Sequence, residues 1–589
     1  METAAIYHRP DSEYAFLYTA DRLRIRLRTA KNDVKVVALI KGDPYDITQT
    51  KWYLEKVPME KTLSTALHDY WELEVTSETR RLQYGFYVEG FDGLQAFYGD
   101  QGLFPYEEEH LAVPNAYFRM PYFQEIDRFK APAWVKETVW YQIFPERFAN
   151  GDKSNDPKGT LPWGSKAPDR DDFFGGDLQG ILDHLDYLVD LGINGLYLCP
   201  IFKAHSNHKY DTIDYLEIDP DFGDKALFKK LVDAAHAKGI KIMLDAVFNH
   251  MGDTSPQWQD VVKNGEKSRY ASWFHIHSYP VDQYVMTDVV ETAANLSYDT
   301  FAFTPHMPKL NTANPEVQDY LLNIATYWVR EFDIDGWRLD VANEVDHHFW
   351  KLFHQAVLAI KPDLYILGEI WHSSQSWLNG DEFHAVMNYA FTDSIKDYFV
   401  KGLIAPSKMV SGMNQQQLLY RDQTNEVTFN LLDSHDTARI LTLANGNLQL
   451  ARAVLTFMFM QKGSPCIYYG TEIGMTGGDD PDCRKCMIWE PANQDLTMLA
   501  FTKELIALRK NYAAVLACGR TNWQVVSDET EVLIFNRSYE NVTLTAYFNA
   551  GVDDLSLELE GEILLQQNCL LTNDSNFVLQ QHGFAITLG

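Results

Sequence analysis

Six cysteines are spread through 589 residues, too few for a disulfide scaffold in so long a chain. Cys483 and Cys486 have the CxxC spacing of half a zinc site or a redox couple, but no second CxxC exists to complete it. Free thiols in a loop are the plainer alternative. Basic residues are also short: 51 Lys and Arg against 82 Asp and Glu leave a formal charge of −31. No basic stripe offsets that field, which argues against nucleic acid or an anionic membrane as partner. No apolar run reaches the length needed to span a bilayer. The opening Met1-Glu2-Thr3-Ala4-Ala5-Ile6-Tyr7-His8-Arg9 has no basic-then-apolar export pattern, so the expectation is a cytoplasmic protein. Internal repeats and low-complexity linkers are missing as well.

What remains describes a soluble globular chain of several domains, 46% hydrophobic and 23% charged. Aromatic residues make up 13% of it. Most of these belong in cores, but aromatic faces also stack on the C–H faces of sugars.

Residues 1–125 read as an all-β unit of short strands, a sandwich. Arg22 to Arg28 alternates strictly, and Val34 to Ile40 and Tyr84 to Val88 are further strands. From 126 to about 510 strands alternate with helices. Strand signals lie at Thr138–Phe144, Ile193–Cys199, Ile240–Val247, Phe332–Leu339, Leu364–Leu367, Ala385–Tyr389, Val427–Leu432 and Cys466–Tyr468. About eight β/α units predict a (β/α)₈ barrel, an α/β fold. The stretch at about 250–312, rich in Trp, Phe, His and Tyr, is too long for a plain connection and reads as an inserted subdomain over the barrel mouth. Residues 511–589 return to β signals and predict a second sandwich.

Four segments end strand signals with acidic or polar groups: Asp245 to His250, Arg338-Leu339-Asp340, Gly368 to His372, and Asp433 to Asp436. In a barrel the C-terminal strand ends converge on one mouth. Arg338 stands two residues before Asp340, so alternation puts both on one face. A guanidinium beside a carboxylate favours its ionised form. Carboxylates that share a site cannot all ionise cheaply, so one keeps its proton. Glycoside hydrolysis needs that split, one acid for the leaving oxygen and one carboxylate for the anomeric carbon. Asp340 is then the candidate nucleophile and Glu369 the acid and base. Asp436 would bind hydroxyls, and His250 and His435 could donate to the same ring. Taken singly, each acidic residue could simply cap the next helix.

The set resembles the α-amylase family of glycoside hydrolases along the whole chain. The resemblance implies a retaining double displacement at α-glucosidic bonds, with Asp340, Glu369 and Asp436 as nucleophile, acid/base and transition-state stabiliser. It places Tyr210, His250, Arg338 and His435 around the cleaved sugar. Met307-Pro308-Lys309-Leu310-Asn311 and Glu369-Ile370-Trp371-His372 are similar to the neopullulanase, cyclomaltodextrinase and maltogenic amylase group, with Trp371 on the acceptor side and Asp480 and Arg484 on the donor side. That group implies cyclodextrins, pullulan and short α-1,4-glucans as substrates, some transglycosylation, and a homodimer formed through the N-terminal domain. An α-1,6-glucosidase, a 4-α-glucanotransferase and a non-catalytic carbohydrate-binding barrel are the alternatives. Asn150, Asp152, Asn155, Asp156, Gly175 and Asp177 supply dense oxygen donors. Such residues also build ordinary turns, but the group implies a structural Ca²⁺ held by them.

Overall fold

Strand Arg22–Ala30 alternates arginines with Leu23, Ile25 and Leu27, and the fold uses both faces. The three aliphatic side chains are fully buried in the N-terminal module. On the other face, Arg26 Nη2 donates to Asp422 Oδ1 at 2.6 Å and Arg24 pairs with the second oxygen of the same carboxylate. A face that alternation alone assigns to solvent is thus the seam between this module and the next. In this computed structural model, which describes every residue except 47, 49, 50, 574 and 575, the module consists of a four-stranded and a six-stranded antiparallel sheet.

Eight parallel strands follow: β1 (Trp140–Ile143), β2 (Gly195–Leu198), β3 (Lys241–Ala246), β4 (Gly336–Leu339), β5 (Tyr365–Gly368), β6 (Ala385–Val386), β7 (Phe429–Asn430) and β8 (Ser464–Tyr468). β1 to β6 pair in sequence order, β7 pairs with β8, and β8 pairs with β1. A parallel bridge between Met387 and Phe429 joins β6 to β7 and closes the ring. β6 and β7 are shorter than their apolar runs because the chain leaves each for a loop or helix after two residues.

The outer helices start where short polar side chains cap them. Asp224 accepts from Leu227 N, Asn314 precedes Pro315, and Asp346 accepts from Phe349 N. The helical stretch before β2 breaks at His184 and ends on Gly192, whose φ of 97° suits a residue without Cβ. At the base of the ring, buried Asp335 accepts from His236 Nε2 at 2.7 Å and from Lys241 and Lys361 Nζ at 2.9 Å each. Its hydrogen bonds and those lysines hold its carboxyl below the usual range against the opposing effect of burial. That hub ties β3, β4 and two helices together at the face opposite the mouth.

Between β3 and helix Pro315–Phe332 the chain forms a helix, Pro256–Asn264, and a two-rung hairpin, Val285–Met286 with Ala293–Ala294. Bridges such as His250 to Lys309 and Thr300 to Pro308 hold this insert against the mouth. Beyond helices Leu496–Asn511 and Ala513–Cys518, strands from Arg520 to Leu588 pair into a six-stranded antiparallel sheet domain. One face, with Phe535, Phe548 and Phe584, joins the barrel core. The other covers a small cluster around Tyr547, Phe577 and Leu579. No helix among the described residues is long and apolar enough to cross a membrane.

Candidate active site

Parallel pairing sets Asp245 of β3 opposite Arg338 of β4, and Arg338 opposite Leu367 of β5. Asp340 follows β4 directly and Glu369 follows β5, so both carboxyls stand at the rim above that row. Arg338, 0% exposed, is the centre. Its Nη1 donates to Asp340 Oδ1 at 2.7 Å and lies 3.0 Å from both oxygens of Asp245. Its Nη2 lies 2.6 Å from Glu369 Oε1 but is poorly aligned for a hydrogen bond. Alternation therefore identifies the Arg338–Asp340 contact correctly but misses that one guanidinium serves three buried carboxylates.

One positive charge cannot neutralise three negative ones in a buried cluster, so the cluster retains a proton. Burial pushes Asp245 up to about 6, with Arg338 and the hydroxyl of Tyr197 opposing it. Burial likewise raises Asp340, against Arg338 and with the help of the neighbouring Glu369 charge. Asp436 is raised by burial and pulled back by Arg484 and Arg338.

The histidines have defined tautomers. Gln142 Nε2 donates to His435 Nδ1 at 2.7 Å, which places the proton on Nε2, facing Tyr210 Oη at 2.6 Å and Asp436 Oδ2 at 3.2 Å. Tyr210 in turn donates to Asp245 Oδ2 at 3.0 Å. In the insert, Lys309 Nζ donates to Asn249 Oδ1. That fixes the Asn249 amide so that its Nδ2 donates to His250 Nδ1 at 3.1 Å. His250 Nε2–H is then left without a protein partner, buried and lining the cleft. Burial lowers His250 to about 3, so it is a neutral donor at pH 7.

These groups line one cleft of about 360 Å³. Asp340, Glu369, Asp436, Tyr210, His250, His435, Trp371, Asp480 and Arg484 all line it. Arg338 does not. Expected beside the sugar, it lies under the cleft floor, because its side chain points into the ring while Asp340 reaches the rim. Asp436 sits in a loop six positions past the end of β7 rather than at a strand end. Buried Asp433 holds that loop by accepting from Ile440 N and Thr471 Oγ1, each at 3.0 Å.

Sequence reading missed several residues. Val341 has φ 44° and ψ 43°, a left-handed conformation costly for a β-branched residue. That geometry aims its N–H at Glu369 Oε2, 3.0 Å away. Tyr389 lies flat under Trp371, with ring centroids 3.6 Å apart. Trp371 remains 48% exposed, an open aromatic face at one end of the cleft. Tyr197, a polar residue in an apolar strand, was a legible signal. Arg170, Glu291 and Phe301, brought in by loops, were not. Cys483 is buried, its Sγ donating to the His435 carbonyl at 3.1 Å.

The six oxygen-donor residues gather in the loop after β1, away from the cleft. Asp177 accepts from the N–H groups of Gly151, Asp152 and Gly180 at 3.0, 2.8 and 2.6 Å. Asn150 Nδ2 donates to Asp156 Oδ1 at 2.7 Å. The Oδ1 atoms of Asn150 and Asn155 are buried with no partner among the described residues. Gly175, with φ 82°, lies so close that a Cβ there would come within 2.3 Å of Asn150 Nδ2 and Asp156 Oδ1. Orphaned carbonyl oxygens beside two carboxylates suit a hard cation.

Comparison with known proteins follows the same lines. Residues 142–519 match the model of the α-amylase catalytic domain, and residues 1–124 that of the α-amylase N-terminal Ig-like domain. The chain is 56% identical over 551 residues to an intracellular maltogenic amylase of Bacillus subtilis (strain 168), covering 94% of this chain and 92% of the relative. It is 51% identical to a cyclomaltodextrinase of Geobacillus thermopakistaniensis, covering 93% and 91%. Against neopullulanase 2 of Thermoactinomyces vulgaris the identity is 44%, covering 88% and 86%. A solved cyclomaltodextrinase structure superposes over 100% of both chains, with a TM-score of 0.91 and 44% identity.

Proposed function

The chain belongs to the α-amylase family of glycoside hydrolases, and from that premise we propose that it cleaves α-1,4-glucosidic bonds of cyclodextrins, pullulan and short maltooligosaccharides with retention of configuration. The observation that carries this is the shared guanidinium: Arg338 holds the carboxyls of Asp340 and Glu369 at one rim, within 2.7 and 2.6 Å of its two terminal nitrogens. Asp340 receives the aligned hydrogen bond from Arg338, which opposes the effect of burial on its carboxyl, so Asp340 takes the part of the nucleophile and Glu369 that of the proton donor.

In the first step Asp340 Oδ attacks the anomeric carbon as the glycosidic C–O bond breaks, and the leaving oxygen takes the proton of Glu369. In the second, Glu369 takes a proton from water. The hydroxide oxygen bonds to the anomeric carbon, and the Asp340 ester bond breaks. Asp436, with His435 and the free Nε2–H of His250, would hold hydroxyls of the reacting ring as it flattens. A sugar stacked on Trp371 can replace water in the second step, which gives transfer. Printed names of the relatives, maltogenic amylase, cyclomaltodextrinase and neopullulanase, agree in substrate class. Incubation with maltotriose, β-cyclodextrin and pullulan, with products followed by polarimetry, tests the reading. Hydrolysis with α-anomeric initial products is expected, and β-anomers or no cleavage of any of the three would overturn it.

A structural Ca²⁺ held by Asn150, Asp152, Asn155, Asp156, the Gly175 carbonyl and Asp177 belongs to the same proposal. Ligand at about 100 times its Kd adds about 2.7 kcal/mol, so Ca²⁺ after chelation should raise Tm by a few degrees. Asp156→Ala should abolish the shift, and an equal shift in both proteins would exclude this loop. We also read the protein as a cytoplasmic homodimer. The 71% exposure of Tyr45 and 69% exposure of Phe91 on the N-terminal module support the second part. Sedimentation that gives one monomer mass at every concentration would refute it.

A further inference from the structure

Arg170 lies in the loop after β1, and Glu291 lies at the tip of the insert hairpin. Both line the cleft, and neither has a role in the mechanism above. Arg170 Nη1 is 3.2 Å from Asp480 Oδ2 and 3.8 Å from Glu291 Oε2. Asp480 Oδ1 is 2.9 Å from Arg484 Nη1, whose Nη2 is 3.3 Å from Asp436 Oδ1. A file of charges of alternating sign therefore runs from Asp436 along the cleft wall to the hairpin. Trp371, which also lines the cleft, takes no part in this file and stays 48% exposed.

The two ends of this bridge differ in firmness. The Arg170 backbone is anchored: buried Asn207 Nδ2 donates to the carbonyls of residues 170 and 172 at 2.5 and 2.9 Å, and Arg147 also donates to the carbonyl of 172. The hairpin has only two paired rungs, Val285 with Ala294 and Met286 with Ala293. A ladder that short has little stability of its own. Its Val289 and Val290 are 66% and 63% exposed. Among the described residues, Arg170 is the only charged group within ion-pair distance of the segment 282–292. The base of the hairpin is fixed by Ala293 N donating to Phe303 O and Thr287 N to Thr292 O, each at 2.9 Å, so the partly exposed ion pair governs its tip over the cleft.

We propose that Arg170 is a specificity-determining residue, bridging Asp480 and Glu291 to wall off the donor end of the cleft so that short saccharide units are released and long donor chains are excluded. This rests on the α-1,4-glucanase reading above. A neutral glucan has no charge with which to compete for Arg170, so the wall yields only when the pair loosens. An exposed pair is weak and screened by salt. Hydrolysis of a ring or of an internal bond then requires the open form, whereas a short linear substrate uses the closed one.

The test is the product pattern on end-labelled maltoheptaose, with kcat/KM on maltotriose measured alongside. Glu291→Gln, which removes the charge facing Arg170, should raise the share of products longer than maltose about threefold, the scale of one partly exposed ion pair. Arg170→Ala should do the same, and Arg170→Lys should largely preserve the wild-type pattern. Salt at roughly 1 M, where the Debye length is about 3 Å, should shift the wild type toward the variants and leave the variants unmoved. An unchanged pattern in Glu291→Gln, or a salt response equal in all proteins, overturns the proposal. So does a fall of more than about tenfold (about 1.4 kcal/mol) on maltotriose in Glu291→Gln, because the pair would then serve the catalytic face. If the wild type cleaves no maltotriose, the α-1,4-glucanase reading itself fails, which is a separate result.

Discussion

Asp340→Asn should lower kcat on maltotriose on the order of 10⁴-fold or more while the protein still binds the sugar and folds. The amide keeps the size and can still accept from Arg338 Nη1, but it cannot form the covalent ester on which both steps depend. Removing one charge from a cluster with one cation and three carboxylates relieves repulsion, so Tm should not fall. Calorimetry with maltotriose and a melting curve check binding and folding. A more informative variant is Asp340→Gly with an activated aryl α-glucoside and azide. Azide entering the vacated space must attack the face that the carboxylate used, and the product should be the β-glucosyl azide. Turnover of maltotriose at the wild-type rate by Asp340→Asn would remove Asp340 from the mechanism altogether.

Glu369→Gln should cost about 10²- to 10⁴-fold on maltotriose, the range for loss of a general acid and base. The loss should depend on the leaving group. An alcohol needs the proton and a good aryl leaving group does not, so the first step on the aryl glucoside should be nearly unaffected. The glycosyl-enzyme would then accumulate, because water lacks its base, and azide should release it as the α-glucosyl azide. Opposite anomers from the two variants separate the roles of two carboxylates that touch the same guanidinium. Equal losses in the first step on both substrates would mean that Glu369 orients Arg338 instead of carrying a proton.

The sequence made the barrel and the rim residues legible because both follow short-range rules. Strand and helix periods alternate through the chain, and polar residues after apolar runs mark the strand ends that face one another. Asp340 and Glu369 follow their strands by one residue, so their position was readable from the spacing. Asp436 was read as part of a strand end, but it lies six positions past the end of β7. The Arg338 hub was visible only in part, because contacts to Asp245 and Glu369 depend on register between strands far apart in sequence. Arg170 and Glu291 left no local signal. Each is one charged residue among many in an acidic chain, and only two long loops meeting across the mouth give them a shared position. The partner of the arginines in strand Arg22–Ala30 was not legible for a related reason, since alternation tells which residues share a face but not what covers it.

Those arginines carry one more implication, for how such proteins gain or lose pieces during descent. Asp422, 2% exposed, immediately precedes the final approach to β7 and has its counter-charges on a different module. A barrel stripped of that module would lose both arginines and open Asp422 to water, with the charge of Lys462 left beside it. Exchange of the front part among related enzymes is therefore tied to what occupies position 422, and the two have to change together.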